Sequence, residues 1–375
     1  MPPLTHPSRR RALQAIAGVA ASAALPNAAR AGPDEAIASI RSLGEIAAGR
    51  GLLFGTAVDA GTLANPLQAA LYTHHARIFT SDNALKFGSL RPQEGPADFK
   101  AADALVAFAA RHNIALRGHC LIWNDWVPPW VAKLSPARCA YWLDRHIDEV
   151  VSRYAGKLHS WDVVNEPFWP ASGNPGGLRN GPWYAAMGRG YVLRALKRAR
   201  AADPLGRIAI NEAGPEWEQV WGAASKPYRD GLLGLVDEVQ GAGVRLDMVG
   251  LQCHWFPEFT FDAGSFRAYL AELAKRDVAI LITELDVNDA QMPGDEAARD
   301  AEVARRYQSL IDAALAEPKV EAILTWQLSD NASWLMAAPT LWGPNNRRPR
   351  PLPFDGAFHP KPAYYAIAEA LALKR

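Results

Sequence analysis

The segment HSWDVVNEP, residues 159–167, runs through aliphatic residues and ends in a glutamate held between an asparagine and a proline. The aliphatic stretch predicts a buried strand, and Glu166 stands at its end. A strand that stopped for structural reasons alone would more often finish in the glycine, aspartate or serine of a turn. Glu166 is therefore a candidate functional carboxylate at the end of a core strand.

Seven other segments share this progression from aliphatic to polar residues. Stretches with apolar residues at helical spacing lie between many of them, most clearly at 102–112, 191–203 and 302–317. Eight alternations of strand and helix predict an α/β fold with a single (β/α)8 TIM barrel, and a chain of 375 residues suits one. No linker marks a second domain, so the barrel is expected to span 32–375. The eight segments are 52–60, 77–87, 114–123, 159–167, 207–214, 247–255, 279–287 and 321–330.

The polar ends of these segments are expected to meet. In a parallel barrel the carboxyl ends of all strands converge on one mouth, which is where barrel enzymes carry out their chemistry. Polar side chains at eight strand ends are difficult to explain by packing alone. The residues concerned are Asp59, Asn83, His119, Glu166, Asn211, Gln252, His254, Glu284 and Asp330.

A second carboxylate, Glu284, ends the seventh segment, roughly across the predicted barrel from Glu166. Two carboxylates at one cleft are what glycoside hydrolysis needs, because one gives the leaving oxygen a proton while the other attacks or activates water. The chain also contains 13 tryptophans. Flat aromatic faces suit a sugar-binding cleft, since a pyranose ring stacks on them.

The sequence around each carboxylate indicates its role, because the two must differ in protonation state. Glu166 has no positive neighbour in sequence, and Trp161 and Phe168 predict apolar surroundings, which favours the protonated acid. His254 is expected to hydrogen-bond Glu284 while Asp286 holds the imidazole, which favours the ionised partner.

Composition bears on partners and cofactors. A net charge of +1 gives no reason to expect nucleic acid or an anionic membrane, and after the N-terminal region no stretch is apolar enough for a membrane helix. Cys120, Cys139 and Cys253 lack metal-type spacing and are expected to be small buried residues outside any disulfide framework. We expect a monomer that uses neither a metal nor a cofactor.

The N-terminus has the pattern of an export signal. Arginines 9–11 precede a weakly apolar, alanine-rich run that reaches Leu25, and Ala29-Arg30-Ala31 matches a cleavage site. This is the twin-arginine pattern. Residues 1–31 are therefore predicted to be removed, and the mature protein is expected in a periplasm or outside the cell.

The motifs taken together resemble glycoside hydrolase family 10, whose best-known members are endo-β-1,4-xylanases. The resemblance runs in order over nearly the whole mature chain. Its motifs are DNALK at 82–86, ADALV at 102–106, RGHCLIW at 117–123, WDVVNEP at 161–167, GLQCHW at 250–255, TELDV at 283–287, TWQLSDNASW at 325–334, PLPFD at 351–355 and KPAYY at 361–365.

This resemblance implies Glu166 as acid/base and Glu284 as nucleophile, with retention of configuration and carboxyl groups about 5–5.5 Å apart. Asn165 would hold the 2-hydroxyl of the sugar at the cleavage site, and His254, backed by Asp286, would orient the nucleophile. The residues expected to contact substrate are Asp82, Asn83, Lys86, His119, Trp123, Trp126, Gln252, Trp326 and Trp334, of which Asn83, Lys86, His119 and Gln252 would bind hydroxyls on the non-reducing side.

Several positions depart from the family pattern. Phe87 and Gly88 replace a tryptophan and a glutamate after the second strand. Trp126 stands where the family has a glutamine that reaches a sugar hydroxyl two units from the cleavage point, so it is expected to block or reshape that donor subsite. Ala213 replaces a tyrosine, and Gln327 replaces a glycine. None of these changes the catalytic pair.

Alternative functions follow from these departures. The leading prediction is a retaining endo-β-1,4-glycanase acting on xylan. A second keeps the mechanism but acts on another β-1,4-glycan, such as a bacterial exopolysaccharide or a decorated glucan. A third is a carbohydrate-binding protein without activity, although both glutamates are present. A metal-dependent hydrolase is disfavoured because HxH and HExxH spacings are absent.

Overall fold

The eight predicted strands close into a parallel barrel in the computed structural model, which describes residues 37–372. Each strand pairs with the next along the chain, and the last pairs with the first. The predicted (β/α)8 architecture is confirmed. The strands are β1 Leu53–Val58, β2 Ile78–Ser81, β3 Ala115–Gly118, β4 Ser160–Asn165, β5 Ile208–Glu212, β6 Met248–Leu251, β7 Ala279–Val287 and β8 Val320–Thr325.

Helices surround the barrel, and the three predicted ones are found as α5, α8 and α11. Several begin with side-chain caps. At α6, for example, the Ser135 hydroxyl accepts from the Arg138 N–H and Pro136 occupies the first turn. The helices are α1 Leu43–Ala48, α2 Ala60–Ala64, α3 Pro66–His75, α4 Phe87–Leu90, α5 Lys100–Arg111, α6 Pro136–Arg153, α7 Pro182–Met187, α8 Gly190–Ala202, α9 Lys226–Gly241, α10 Ala263–Ala274, α11 Glu296–Ala314 and α12 Pro362–Ala372.

Most strands are shorter than the predicted segments because the polar ends leave the sheet. Two of these ends pair again for two residues. Ile122–Trp123 lies beside β4, with Trp123 opposite Asn165. His254–Trp255 lies beside β7, with His254 opposite Asp286. These short pairings hold site residues against neighbouring strands at the carboxyl end of the barrel.

The apolar core has two parts. Inside the barrel, a small cluster fills the space with residues such as Ile78, Met248 and Leu281. A much larger cluster joins the outer face of the sheet to the helices and includes Trp161. Gly118 makes room for this indole, because a Cβ at that position would lie 2.2 Å from it. Trp161 therefore belongs to the outer layer and does not supply the surroundings of Glu166.

Other sequence predictions can be located on this structure. Cys120, Cys139 and Cys253 are all buried and free, as predicted. No helix between residues 37 and 372 has the length and apolarity needed to cross a membrane. The predicted export signal, 1–31, lies outside the described residues.

Candidate active site

A cavity of about 680 Å³ opens at the carboxyl ends of the strands. Every predicted site residue except Asp286 lines it, and Asp286 lies directly behind His254. The lining also includes Asp59, which was expected at the mouth as a strand end, and residues that were not predicted, among them Glu216, Trp217, Trp221, Phe256 and Phe259. Among the described residues, no group of three or more His, Cys, Asp and Glu side chains could hold a metal ion.

Glu284, on β7, is enclosed by hydrogen-bond donors. Asn211 Nδ2 donates to Oε1 at 2.6 Å, and His254 Nε2 lies 3.2 Å from Oε2. The other ring nitrogen of His254, Nδ1, lies 2.8 Å from Asp286 Oδ1. Trp334 Nε1 donates to the second oxygen of Asp286 at 2.8 Å. The imidazole is thus fixed between two carboxylates, and a tryptophan of the cavity wall holds the outer one.

The electrostatics of this group favour the carboxylate form of Glu284. Burial raises the pKa of Glu284, but the hydrogen bond from His254, the positive charges of His119 and His254, and the hydrogen bond from Asn211 together lower it to about 2. Burial likewise lowers the pKa of His254, yet Asp286 and Glu284 hold it well above its usual range. A protonated His254 can donate from both ring nitrogens, so it stabilises the ionised form of Glu284.

Glu166 follows β4 by one residue and has a left-handed backbone, with φ +48°. Trp123 Nε1 donates to its Oε2 at 3.1 Å, and Gln252 Nε2 donates to its Oε1 at 3.0 Å. A non-glycine residue seldom adopts this backbone conformation unless its surroundings hold it there. The two hydrogen bonds to the carboxylate are consistent with a functional position.

The residues beside Glu166 in sequence carry no charge, but the fold brings a positive side chain to its carboxylate, so the expectation of apolar surroundings is corrected. Arg179, which is only 11% exposed, places NH2 3.0 Å from Glu166 Oε2. Its Nε donates to the Glu166 carbonyl at 3.0 Å, and it also pairs with Asp125. Arg179 lies in the loop after β4, too far along the chain for the sequence around Glu166 to reveal it.

A chain of side-chain amides links the two carboxylates. Asn211 Nδ2, which donates to Glu284, also donates to Asn165 Oδ1 at 2.8 Å. The same oxygen lies 3.4 Å from Gln252 Nε2, which donates to Glu166. Asn211 was noted at a strand end but was not among the predicted site residues. Its role becomes visible only when β4, β5 and β7 are placed side by side.

His119 stands on a buried ionic support. Its Nδ1 lies 3.0 Å from Asp162 Oδ2, while Arg117 NH2 binds the other oxygen of Asp162 at 2.5 Å. Burial lowers the pKa of His119, but Cys120, Asp162 and Glu284 raise it to about 10. His119 therefore adds positive charge on the side of the cavity next to Glu284.

The side of the cavity formed by the residues after β2, β3 and β8 carries the side chains predicted to bind sugars on the non-reducing side of the cleavage point. We call this side the donor wall. Lys86 Nζ lies 3.7 Å from Asp82 and 3.5 Å from Asn83 Oδ1, and it sits 4.9 Å from the centre of the Trp126 ring. The Trp126 ring lies nearly parallel to that of Trp123, at an interplanar angle of 13° and 6.0 Å between centres. Trp126 remains 46% exposed.

The structure shows in part how a glutamine is accommodated at position 327, where the family has a glycine. Its backbone has φ +77°, a conformation that favours the glycine usual at this position. The side chain is buried, accepts from Tyr72 OH at 2.9 Å and donates to Asp82 at 3.0 Å. Gln327 therefore anchors the donor wall from behind and does not line the cavity.

Comparisons with known proteins agree with this geometry. A family model described as glycosyl hydrolase family 10 matches residues 42–370. Endo-1,4-beta-xylanase 3 of Hypocrea jecorina is 33% identical over 322 residues, covering 85% of this chain and 82% of that protein. A thermostable celloxylanase of Thermoclostridium stercorarium is 32% identical over 349 residues, covering 85% of each. The crystal structure of native xylanase 10B from Thermotoga maritima superposes with a TM-score of 0.78 at 28% identity, covering 88% of this chain and 98% of that one.

Proposed function

The chain belongs to glycosyl hydrolase family 10, and from this membership and the geometry of the barrel mouth we propose that it is an endo-1,4-β-xylanase that hydrolyses xylan with retention of configuration. The observation that carries this proposal is the pairing of Glu166 with Glu284. The two glutamates line one cavity, and hydrogen bonds from His254 and Asn211 hold Glu284 in the carboxylate form that a nucleophile needs.

In the first step, the Glu284 carboxylate attacks the anomeric carbon while Glu166 delivers a proton to the glycosidic oxygen. The leaving sugar departs and a glycosyl ester forms on Glu284. Water then attacks the same carbon from the opposite face, gives its proton to Glu166 and releases Glu284. Two inversions produce net retention, and we expect the carboxyl groups to lie about 5–5.5 Å apart in the working enzyme.

The supporting residues have distinct tasks in this scheme. His254 and Asn211 keep Glu284 ionised and fixed in position through their hydrogen bonds. Asn165 lies between the carboxylates and would hold the 2-hydroxyl of the reacting sugar, a contact that strengthens in the transition state. Trp123 and Arg179 hold Glu166 at the glycosidic oxygen.

Glycans other than xylan belong among the substrates to be tested, because the walls of the cleft differ from the family pattern. Gly88 and Trp126 lie next to each other, so that a Cβ at Gly88 would touch the indole at 3.5 Å. A small residue and a large one have thus replaced a glutamate and a glutamine at adjacent places in the donor wall. This exchange is the reason to test other β-1,4-glycans beside xylan, for example a bacterial exopolysaccharide or a decorated glucan.

The test is release of reducing sugar by wild type and by Glu284→Ala from glucuronoxylan, linear xylan, carboxymethyl cellulose, mixed-linkage glucan and bacterial exopolysaccharides. Glu321→Ala is a matched control, since Glu321 pairs with Arg207 near the start of β8, at the opposite end of the barrel. Release from xylan that only Glu284→Ala abolishes supports the xylanase. Release from another β-1,4-glycan alone supports the second substrate, and binding without release supports the non-catalytic alternative.

We also propose that residues 1–31 export the protein and that the mature barrel acts as a monomer. Replacing arginines 9–11 with lysine should leave the protein in the cytoplasm, because the export pathway reads the arginine pair. Mass spectrometry of the exported protein should find Gly32 at its N-terminus. Light scattering of the mature chain should give the mass of a single copy, and a larger mass would contradict the monomer.

A further inference from the structure

Trp221 is an exposed tryptophan on the side of the cavity away from the donor wall. It stands at the turn of a hairpin between Gln219–Val220 and Ala223–Ala224, in the loop after β5. The residue is 40% exposed and lines the same cavity as Glu166. Its backbone has φ +49°, which is unusual for a bulky residue and implies that the surrounding loop enforces the conformation.

The loop that carries Trp221 is fixed at its base. The carboxylate of Glu216 accepts from the N–H of Gly214 at 2.7 Å and from the N–H of Cys253 at 2.9 Å. This buried side chain therefore ties the loop after β5 to the end of β6. Glu218 and Gln219 add backbone bonds with Thr260, at 2.8 Å for Glu218 N–H to Thr260 O and 3.2 Å for Thr260 N–H to Gln219 O. The position of the hairpin is thus set before any ligand arrives.

Other rings support the indole without covering it. Trp169 lies 4.8 Å from Trp221 between ring centres, Phe259 lies 5.4 Å away and Tyr228 lies 5.5 Å away. Arg179, which binds Glu166, also stacks on Trp169 at 5.0 Å. The group of rings around Trp221 is therefore connected to Glu166 through the indole of Trp169 and the guanidinium of Arg179.

The position of Trp221 relative to the scissile bond follows from strand order. The donor residues Asn83, Lys86 and His119 follow β2 and β3, Glu166 follows β4, and Trp221 follows β5. A chain of sugars that enters over β2 and β3 and is cut beside Glu166 must continue toward the loops after β5 and β6. At this place β5 is followed by Ala213, which has no aromatic ring.

We propose that Trp221 is the stacking surface for the sugar ring on the leaving-group side of the scissile bond and so determines which acceptor-side chains are cleaved. The inference rests on the proposed function. A neutral pyranose fits this surface, because its CH face matches an indole and Phe256 and Phe259 beside it are apolar. The tip of the hairpin thus supplies, in Trp221, the aromatic ring that Ala213 after β5 does not provide.

Two substrates separate this role from general damage to the enzyme. Xylotetraose places sugars on both sides of the scissile bond, whereas β-xylobiosyl fluoride has only fluoride as its leaving group and needs no acceptor subsite. For Trp221→Ala we expect kcat/KM to fall about tenfold for xylotetraose, the loss of one ring stack, and to stay within about twofold for the fluoride. Trp221→Phe should recover part of the loss because it keeps a ring.

Tyr365→Ala is the matched control, since Tyr365 is a 60% exposed aromatic on α12, outside the cavity. This substitution should leave kcat/KM unchanged for both substrates. If Trp221→Ala hydrolyses xylotetraose at the wild-type rate, or if both substrates slow equally in Trp221→Ala and Trp221→Phe, the inference is wrong while the proposed function stands. If the wild type does not hydrolyse the fluoride at all, the proposed function fails and takes the inference with it.

Discussion

The surroundings of Glu284 and of Glu166 are built in different ways. Glu284 lies within β7 and is held by Asn211 from β5 and by His254 from the short strand beside it. Glu166 lies beyond the end of β4 with a left-handed backbone, and its carboxylate contacts Arg179 from a loop. The partners of the first carboxylate all come from strands, whereas the second adds an arginine from a loop to its strand-end donors Trp123 and Gln252.

This difference matches what each glutamate does in the proposed mechanism. A nucleophile that stays ionised throughout binding benefits from a fixed set of donors, and the pKa of about 2 for Glu284 reflects one. An acid/base loses and regains a proton in each turnover of the proposed mechanism, so a partner outside the strands suits it better than a full enclosure of donors. The contrast leads to predictions for each carboxylate and its support.

The largest effect is expected when the carboxylates themselves are removed. Glu284→Ala should lower kcat by about 10⁴-fold or more on every substrate, because the glycosyl ester cannot form. Glu166→Ala should lose about 10²–10⁴-fold on xylan but little in the first step on a dinitrophenyl xylobioside, whose leaving group needs no proton. Steady-state and burst kinetics on both substrates distinguish the two variants.

Added azide sharpens the same comparison. With Glu166→Ala, azide should attack the glycosyl ester and give a β-glycosyl azide. With Glu284→Ala, it should fill the space of the missing carboxylate and give the α-product. NMR spectroscopy of the products reads the configuration, and the reverse outcome would exchange the roles of the two glutamates.

The next largest effect concerns the loop-borne partner of Glu166. Arg179→Met removes both the contact with the carboxylate and the bond to the Glu166 carbonyl. We expect kcat on xylan to fall about 10²-fold with little change in KM, since a misplaced catalytic group costs rate more than binding. Arg179→Lys should recover little, because lysine lacks the planar fork.

Arg194→Met is the control for this substitution. Arg194 makes a two-pronged ion pair with Asp144 on the outside of the barrel. Its loss should leave kcat unchanged, since exposed pairs of this kind contribute little. An Arg179→Met enzyme with wild-type kcat on xylan would show that Glu166 needs no help from the loop.

A smaller effect is expected from His254→Asn and appears in the pH profile. Glu284 must be ionised to attack, so activity falls as pH drops through its pKa, which is about 2 in the wild type. Asparagine removes the positive charge and the hydrogen bond while burial remains, so the pKa rises. The acid limb of kcat/KM should move to higher pH by about 1–3 units. His359→Asn, at an exposed histidine, should leave the limb in place.

The sequence predicted the barrel well because its pattern is repeated eight times and depends on short-range features. Which side chains of a strand point into the barrel was harder to predict. The register of β4 against β5 shifts between Asp162 and Val164. Asp162 and Asn165 therefore both face the site, while Trp161 turns outward. Strict alternation from Asn165 would have placed Trp161 inside.

The site residues at strand ends were also accessible from the sequence, since the order of strands brings them to one mouth. Arg179, Glu216 and Trp221 were not, because they lie on loops whose course is set by tertiary contacts. Asn211 was visible as a strand end, but its bond to Glu284 requires knowing how β5 sits relative to β7. Loop-borne residues are therefore the part of this site that sequence patterns leave open.

The smallest expected effect tests whether the donor wall helps to position the carboxylate of Glu166. Trp126 stacks beside Trp123, whose indole N–H bonds Glu166, whereas Glu284 is bonded by Asn211 and His254. Trp126→Gln should raise KM for β-xylobiosyl fluoride about three- to fivefold through the lost stacking surface and leave kcat unchanged. Trp130→Gln, at a tryptophan outside the cavity, is the control. A fall in kcat on xylan for Trp126→Gln alone would mean that the wall positions the acid/base as well as the sugar.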